Sequence, residues 1–140
     1  FTSVYGKTRP PSEKELNNFV SKRFELFCRE FLAEYLQGEI VVKAGRWWGQ
    51  AEISPGNFEQ REIDVVVETQ QKIYVGECKW TNEKIGEKEL KRLKESAKAL
   101  NVKKPVRWVL FSKNGFNIQE TDGLLLFDPK RIETEIKHLR

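Results

Sequence analysis

Two carboxylates and a lysine lie in two neighbouring segments of the sequence, Glu62-Ile63-Asp64 and Gly76-Glu77-Cys78-Lys79-Trp80. Charged side chains are costly inside apolar strands, so their presence in such segments needs an explanation. Residues two apart on a strand share a face, which places Glu77 and Lys79 on one face and Cys78 on the other. Carboxylates beside a lysine are suited to holding a hard divalent cation and assisting phosphodiester hydrolysis.

The two segments are predicted to form the strands of a β-hairpin. In the first strand, residues 62–68, Ile63, Val65 and Val67 are expected on one face and Asp64 on the other. The second strand, residues 73–80, is apolar on both faces until Glu77, which is typical of a strand in the middle of a sheet.

The hairpin register decides which charged groups meet. A turn centred on residues 70 and 71 pairs residues whose numbers sum to 141, and this register puts Asp64 opposite Glu77 with Cβ atoms about 5 Å apart. The turn sequence is not a favoured two-residue hairpin, so a slip of two residues would place Asp64 opposite Lys79 instead. In either register Asp64, Glu77 and Lys79 share one face.

Carboxylates this close repel each other unless one is protonated or a cation lies between them. Mg²⁺ or Mn²⁺ binds oxygen ligands and keeps most of its waters, so Asp64, Glu77 and the backbone carbonyl of Cys78 would suffice to hold it. Lys79 would then stabilise an attacking hydroxide or the pentacovalent transition state. The simpler alternative is that these charges lie at strand ends and only reach solvent.

Helices and further strands must position this hairpin. Ser12 and Glu15 have capping-box spacing before a long helix with an apolar stripe that includes Leu16 and Phe27 and ends at Gly38. A β-rich run over residues 39–48 follows, then an expected exposed loop over residues 53–60. After the hairpin we expect a helix at 86–100, strands at 106–112 and 124–127, and a last helix opened by Asp128-Pro129. The predicted fold class is α/β, a mixed central β-sheet flanked by α-helices.

Composition limits the classes of function. The 140 residues suit one domain, predicted over 13–140 after a polar linker at 1–12. The chain has two cysteines and one histidine, which makes zinc sites and histidine-based triads poor candidates. No apolar stretch is long enough to span a bilayer, and we expect a cytoplasmic protein with reduced cysteines. The chain contains no methionine, which suggests a fragment of something longer.

Four motifs in order resemble a known family. They are Phe24-Glu25-Leu26-Phe27-Cys28-Arg29-Glu30, Gly45-Arg46-Trp47-Trp48-Gly49, Glu62-Ile63-Asp64-Val65-Val66 and Gly76-Glu77-Cys78-Lys79-Trp80. The order of an acid, then Glu-x-Lys on the next strand, after a helix with Glu25, resembles the PD-(D/E)xK nuclease superfamily with its restriction-endonuclease-like fold. More narrowly, the set resembles a domain of unknown function at the C-terminus of archaeal AAA-type ATPases.

The resemblance implies roles for individual residues. Asp64 and Glu77 would be metal ligands, Lys79 the catalytic lysine, and Glu25 would complete the metal shell through water. Ile63 stands where the superfamily pattern has proline. The family context also implies partners, an N-terminal ATPase domain and a winged-helix segment of the same parent chain. Without the resemblance, Glu25 lies at the edge of the apolar stripe and could point either to the sheet or to solvent.

A nucleic-acid surface is the next expectation. Residues 84–107 hold nine Lys or Arg against three Glu, a local charge of +6 that exceeds the +4 of the whole chain. Such a surface would contact DNA phosphates, although a solvated helix face with internal ion pairs is the simpler alternative. The two tryptophans could stack on bases or pack in the core. The candidate nucleic-acid-binding residues are Arg46, Trp47, Trp48, Lys88, Lys91, Arg92, Lys94 and Lys98.

The sequence therefore predicts a Mg²⁺- or Mn²⁺-dependent nuclease that hydrolyses DNA, branched and single-stranded forms included. The alternative is a module that has lost cutting and binds DNA or docks on its ATPase partner. A metal phosphoesterase acting on small molecules has only the same carboxylates in its favour. Oligomeric state, and the choice between DNA and RNA, do not follow from the sequence.

Overall fold

The central feature of the structure is a five-stranded mixed sheet with strands in the order β1-β2-β3-β4-β5. This computed structural model describes residue 10 and residues 12–139. The predicted linker at 1–12 therefore lies mostly outside the described residues. The elements are α1 (Glu13–Tyr35), β1 (Val41–Ser54), β2 (Asn57–Thr69), β3 (Ile73–Lys79), α2 (Glu87–Ala97), β4 (Val106–Ser112), β5 (Leu124–Phe127) and α3 (Pro129–Leu139).

The helix starts follow the predicted capping chemistry. The Ser12 side chain accepts the backbone N–H of Glu15 at 3.1 Å, which satisfies one of the open donors in the first turn of α1. At α3 the Asp128 carboxylate accepts the N–H of Arg131 at 2.8 Å, with Pro129 as the first helical residue. The predicted positions of all three helices are confirmed.

The sheet is antiparallel from β1 to β3 and parallel from β3 to β5. In the β2–β3 hairpin Val65 pairs with Gly76 and Glu68 with Ile73, so the register whose numbers sum to 141 is confirmed. β3 is flanked by β2 and β4, which confirms that it is a central strand. The mixed α/β architecture expected from the sequence is therefore present.

The expected loop at 53–60 is wrong, because β1 and β2 continue through it as a long hairpin. Ser54 pairs with Asn57 across the two residues Pro55 and Gly56. Gly56 has a φ of +76°, and proline followed by a left-handed glycine is the pattern of a type II turn. The loop signal marks only the turn, and β1 also passes through Gly49 without ending.

The core lies in two layers, one on each side of the sheet. On one side α1 and α3 pack on Val65, Val67 and Cys78, and on the other side α2 packs on Ile63 and Val75. Burying one large apolar side chain contributes about 1.5–3 kcal/mol, so both layers are needed to hold the sheet. Both cysteines are buried and free. The apolar stripe of α1 is only partly covered, since Leu16 and Phe27 remain 49% and 42% exposed.

A β-bulge changes the faces of β2. Gly45 pairs with Val66 but Trp47 pairs with Ile63, so β2 carries one extra residue between these pairs. As a result Ile63 faces the α2 layer while Val65 faces the α1 layer. The predicted alternation, with Ile63 on the face of Val65 and Val67, is therefore wrong at Ile63. The bulge lies at Asp64, the residue singled out from the sequence.

Candidate functional site

A cleft of about 440 Å³ opens beside the bulge, between α1 and α2. Its walls come from α1, from residues 60–64 of β2, from the end of β3 with the two residues after it, and from α2. Glu25, Asp64, Glu77 and Lys79 all line it, together with Cys78. The structure thus brings together every residue that the sequence predicted for the metal and catalytic set.

Asp64 is held by hydrogen bonds at both its side chain and its backbone. Its Oδ2 accepts the N–H of Cys78 at 2.9 Å, and its carbonyl oxygen accepts a hydrogen bond from Nη1 of Arg29 at 3.0 Å. Burial raises the pKa of the Asp64 carboxyl, although the Cys78 N–H and the charge of Lys79 oppose this. Arg29 had no predicted role, but its place four residues after Glu25 put it on the same helix face.

Glu77 has the least satisfied carboxylate in the cleft. Its Oε1 is 4.0 Å from Nζ of Lys79, and its Oε2 is buried without a hydrogen-bond partner among the residues that the structure describes. Burial raises the pKa of Glu77 to about 6, and the charge of Asp64 adds to this while Lys79 acts against it. Buried polar oxygens without partners are rare in folded proteins and often mark the place of a ligand or ion.

Glu25 points into the cleft rather than to solvent. Its side chain is only 12% exposed, and its Oε1 is 3.8 Å from Nζ of Lys22. Burial and the charge of Asp64 raise the pKa of Glu25, and Lys22 lowers it. Of the two orientations that the sequence left open, the structure shows the one facing the sheet.

Basic side chains lie around these carboxylates. Lys79 is 40% exposed, Lys22 on α1 is 61% exposed, and Arg92 reaches the cleft from α2. Lys22 was not predicted, although it lies three residues before Glu25 on the same helix. The cleft therefore has basic groups around its buried carboxylates, together with the exposed carboxylate of Glu62.

Arg61 fixes the wall of the cleft, and sequence reasoning missed it. It is 5% exposed, and its Nη1 donates to Oγ of Ser96 at 2.9 Å while its Nε donates to Glu59 at 2.9 Å. These contacts tie β2 to α2 directly beside Glu62. The signal available in the sequence was an arginine directly before the acidic motif Glu62-Ile63-Asp64.

The predicted nucleic-acid residues divide among four places. Arg92 lies in the cleft, whereas Lys88, Lys91 and Lys94 border a separate groove on α2 of about 510 Å³. Lys98 is exposed in the short 3-10 turn after α2. The basic helix therefore does not converge on the carboxylates as a unit.

Arg46, Trp47 and Trp48 form the fourth place, on β1. Trp47 packs against the α2 layer, whereas Trp48 is 58% exposed with the Arg46 guanidinium 4.9 Å from its ring centroid. Trp47 therefore packs against the core, whereas Trp48 leaves its aromatic ring open to solvent.

The acidic side chains alone do not make a complete metal cage. Within residue 10 and residues 12–139, no three His, Cys, Asp or Glu side chains form a group that could hold a metal ion. A cation here would depend on two carboxylates with backbone and water oxygens. In the same described part of the chain, no helix has the length and apolar character needed to cross a membrane.

Two solved structures resemble the fold. One is the crystal structure of the protein of unknown function AF1548, with a TM-score of 0.53 and 21% identity over 81% of this chain and 66% of the other. The second is protein VC1899 from Vibrio cholerae, with a TM-score of 0.61 and 17% identity over 91% of this chain. This chain spans only 35% of that protein. At these identities the likeness concerns the fold alone.

Sequence comparison gives the family. No curated protein matches the chain significantly. A family profile matches residues 7–95, which include every residue of the cleft described above apart from Ser96. The chain belongs to the DUF234 family, which is described as archaeal and bacterial proteins of unknown function.

Proposed function

We propose that this domain is a divalent-metal-dependent nuclease of the PD-(D/E)xK kind that hydrolyses phosphodiester bonds of DNA. The observation that carries the proposal is the shared cleft of Asp64, Glu77 and Lys79, with Glu25 beside them and a buried Glu77 oxygen that has no partner. The five-stranded mixed sheet flanked by helices is compatible with a restriction-endonuclease-like fold, and we include that fold in the proposal.

The donor set fits a hard divalent cation such as Mg²⁺ or Mn²⁺. Asp64 and Glu77 offer carboxylate oxygens. Cys78, the residue between Glu77 and Lys79 in the wall of the cleft, would add its backbone carbonyl oxygen. The raised pKa values of Glu77, Asp64 and Glu25 reflect burial together with mutual repulsion. A positive charge among them would relieve both effects. Glu25, without a direct ligand role, would hold water of the metal shell.

Hydrolysis needs a water oxygen to attack phosphorus while the bond from phosphorus to the leaving sugar oxygen breaks. When bound, the cation supplies Lewis acidity to the water and to the phosphate. The Lys79 ammonium stabilises the negative charge that develops on the attacking and phosphoryl oxygens. The water gives up one proton to solvent or to a neighbouring carboxylate, and the leaving oxygen takes one from solvent.

The rim cations would bind the DNA backbone. Lys22, Lys79 and Arg92 approach the cleft from three different elements, so a phosphate entering it meets these positive groups as well as the exposed Glu62. Phosphate contacts of this kind weaken steeply as salt concentration rises, whatever the base sequence. We expect DNA affinity of the domain to fall with salt in that way.

The test is cleavage of labelled single-stranded, duplex and branched DNA in the presence of Mg²⁺ or Mn²⁺. The proposal expects metal-dependent cutting that K79A and E77A abolish. K137A is the matched control, because Lys137 is an exposed lysine on α3 whose ion pair, with Glu133, lies on the surface. Metal-dependent cutting that survives K79A or E77A would refute the assignment.

A second candidate is an interaction module that binds DNA or docks on an ATPase partner without cutting. An exposed apolar groove of about 410 Å³ between α1 and α3 favours it, lined by Phe24, Phe27, Trp80 and Ile136. Contiguous apolar surface on a soluble domain often marks a binding face. Calorimetric titration separates the two candidates, since no Mg²⁺ or Mn²⁺ binding even with DNA present would favour this module.

A further inference from the structure

Trp48 is an exposed aromatic side chain whose surroundings differ from those of its neighbour. Its side chain remains 58% exposed, whereas Trp47 packs against the α2 layer and covers Gly49. A Cβ added at Gly49 would lie 2.9 Å from the Trp47 ring, so Trp47 has a packing role. No such packing explains Trp48, which leaves a large apolar ring in water.

The position of Trp48 relates it to the cleft. Its partner across the β1–β2 ladder is Glu62, which lines the cleft two residues before Asp64. A cross-strand step is about 5 Å and two residues along a strand about 7 Å, so the backbone at Trp48 lies about 9 Å from the backbone at Asp64. A strand with its phosphate at Asp64 and Glu77 would therefore carry a neighbouring base to Trp48.

Arg46 makes the same surface attractive to a nucleotide. Its guanidinium lies 4.9 Å from the Trp48 ring centroid, on the exposed face of β1. An aromatic ring beside an arginine combines base stacking with a phosphate contact. Glu62 is exposed nearby and would repel phosphate, which favours a base rather than the backbone at the ring.

We propose that Trp48 is a stacking platform for an unpaired base next to the scissile phosphate, so that the substrate class is DNA with single-stranded character. The inference rests on the proposed function for the identity of the cleft. In an intact duplex the bases are stacked on each other and their faces are not available to a protein ring. A single strand, or the arm of a forked duplex, offers a free face at every base.

Phe58 provides a matched control within the same hairpin. It is also 58% exposed, on β2, but it pairs with Glu52 near the Pro55–Gly56 turn rather than with a residue of the cleft. Removing Phe58 therefore removes an aromatic side chain with the same exposed fraction from a position away from the carboxylates.

The experiment measures binding of fluorescein-labelled oligothymidylate and of a blunt duplex to the whole chain, without divalent metal, by fluorescence anisotropy. W48A is expected to weaken oligothymidylate binding roughly 5- to 100-fold and to leave duplex binding unchanged. W48F should recover most of the loss, and F58A should leave both affinities unchanged. Equal affinity of W48A and the unaltered chain for oligothymidylate would overturn the inference, as would equal losses on the two DNAs.

The two proposals fail in different ways. If K79A abolishes cutting while W48A binds oligothymidylate normally, the stacking platform is wrong and the nuclease assignment stands. If W48A alone weakens oligothymidylate binding but metal-dependent cutting is absent or survives K79A, the platform stands on a domain that is not this nuclease. Near-native circular dichroism of W48A is required, and W48L, which also lacks the aromatic ring, gives the same comparison if W48A does not fold.

Discussion

Asp64 and Cys78 are joined across the hairpin by a side-chain hydrogen bond, from the Cys78 N–H to Oδ2 of Asp64 at 2.9 Å. The regular ladder between β2 and β3 ends one step earlier, at Val65 and Gly76. The Asp64 carboxylate therefore takes a backbone donor at the end of the ladder, on the residue between Glu77 and Lys79. The bulge in β2 and this hydrogen bond together fix where the charged groups of the cleft lie.

The free energy of unfolding should depend on pH, because burial raises the pKa values of the carboxylates in the cleft. Because the pKa of folded Glu77 is about 6 against an ordinary 4.5, the folded protein binds more protons than the unfolded chain between these values. The free energy of unfolding should therefore fall as pH rises through this window, by about 2 kcal/mol from Glu77. Asp64 and Glu25 act in the same direction. The measurement is urea unfolding in EDTA across this pH range.

E77Q should remove the share of this pH dependence that belongs to Glu77 and should be more stable than the unaltered protein at neutral pH. E133Q is the control, because Glu133 is exposed and forms a surface ion pair with Lys137. A pH dependence that is the same in E77Q and in the unaltered protein would contradict the prediction.

Divalent metal should stabilise the domain at neutral pH. With about 10 mM Mg²⁺ and a dissociation constant of about 1 mM, the free energy of unfolding rises by about 1.4 kcal/mol. Thermal unfolding with Mg²⁺ and with EDTA measures the difference, which E77Q should lose. An equal increase in melting temperature for E77Q would place the stabilising ion elsewhere.

Arg29 should be needed to hold Asp64. R29A leaves the Asp64 carbonyl without its side-chain donor, so we expect a loss of about 1–3 kcal/mol in the free energy of unfolding and weaker cutting. R23A, at an exposed arginine on the same helix, should lose little by either measure. Denaturant unfolding and cleavage assays check both, and equal effects of the two substitutions would show that the hydrogen bond contributes nothing.

Gly76 should not tolerate a side chain. A Cβ there would lie 2.9 Å from the Val109 carbonyl oxygen and 3.3 Å from the Cβ of Val65, so G76A must displace β2 or β4. We expect G76A to cost about 1–3 kcal/mol and to shift Glu77. G45A has no atom within 4 Å of its new Cβ and should be neutral or slightly stabilising. Chemical unfolding of both proteins checks this; similar stabilities would show that the strands separate at little cost.

Much of the fold could be predicted because local signals agree with it. The Ser12 cap, Asp128-Pro129 and the hairpin register each depend on a few residues, and each predicted element is present, although the alternation of β2 fails at Ile63. The exposed loop at 53–60 was wrong because one tight turn at Pro55 and Gly56 carries a strong loop signal while the strands around it are polar.

The charged residues of the candidate site could be predicted from the sequence, but the contacts that hold them in place could not. Asp64, Glu77 and Lys79 are charges in apolar strands, and such charges stand out in a sequence. The bulge that turns Ile63 to the α2 layer depends on pairing with β1, and the orientation of Arg29 depends on how α1 packs on the sheet. These are long-range contacts, which periodicity along one segment does not encode.

The pairing of β3 with β4 determines how far the domain can be shortened. The family match ends at residue 95, and nearly all side chains of the cleft lie before that point, but β4 begins at Val106. A fragment cut at the end of the match would keep the charged residues and leave β3 as an edge strand. Its open backbone donors and the uncovered Val75 would then favour association of one fragment with another. The residues of β4, which have no proposed catalytic role, thus protect the strand that carries Glu77 and Lys79 from aggregation.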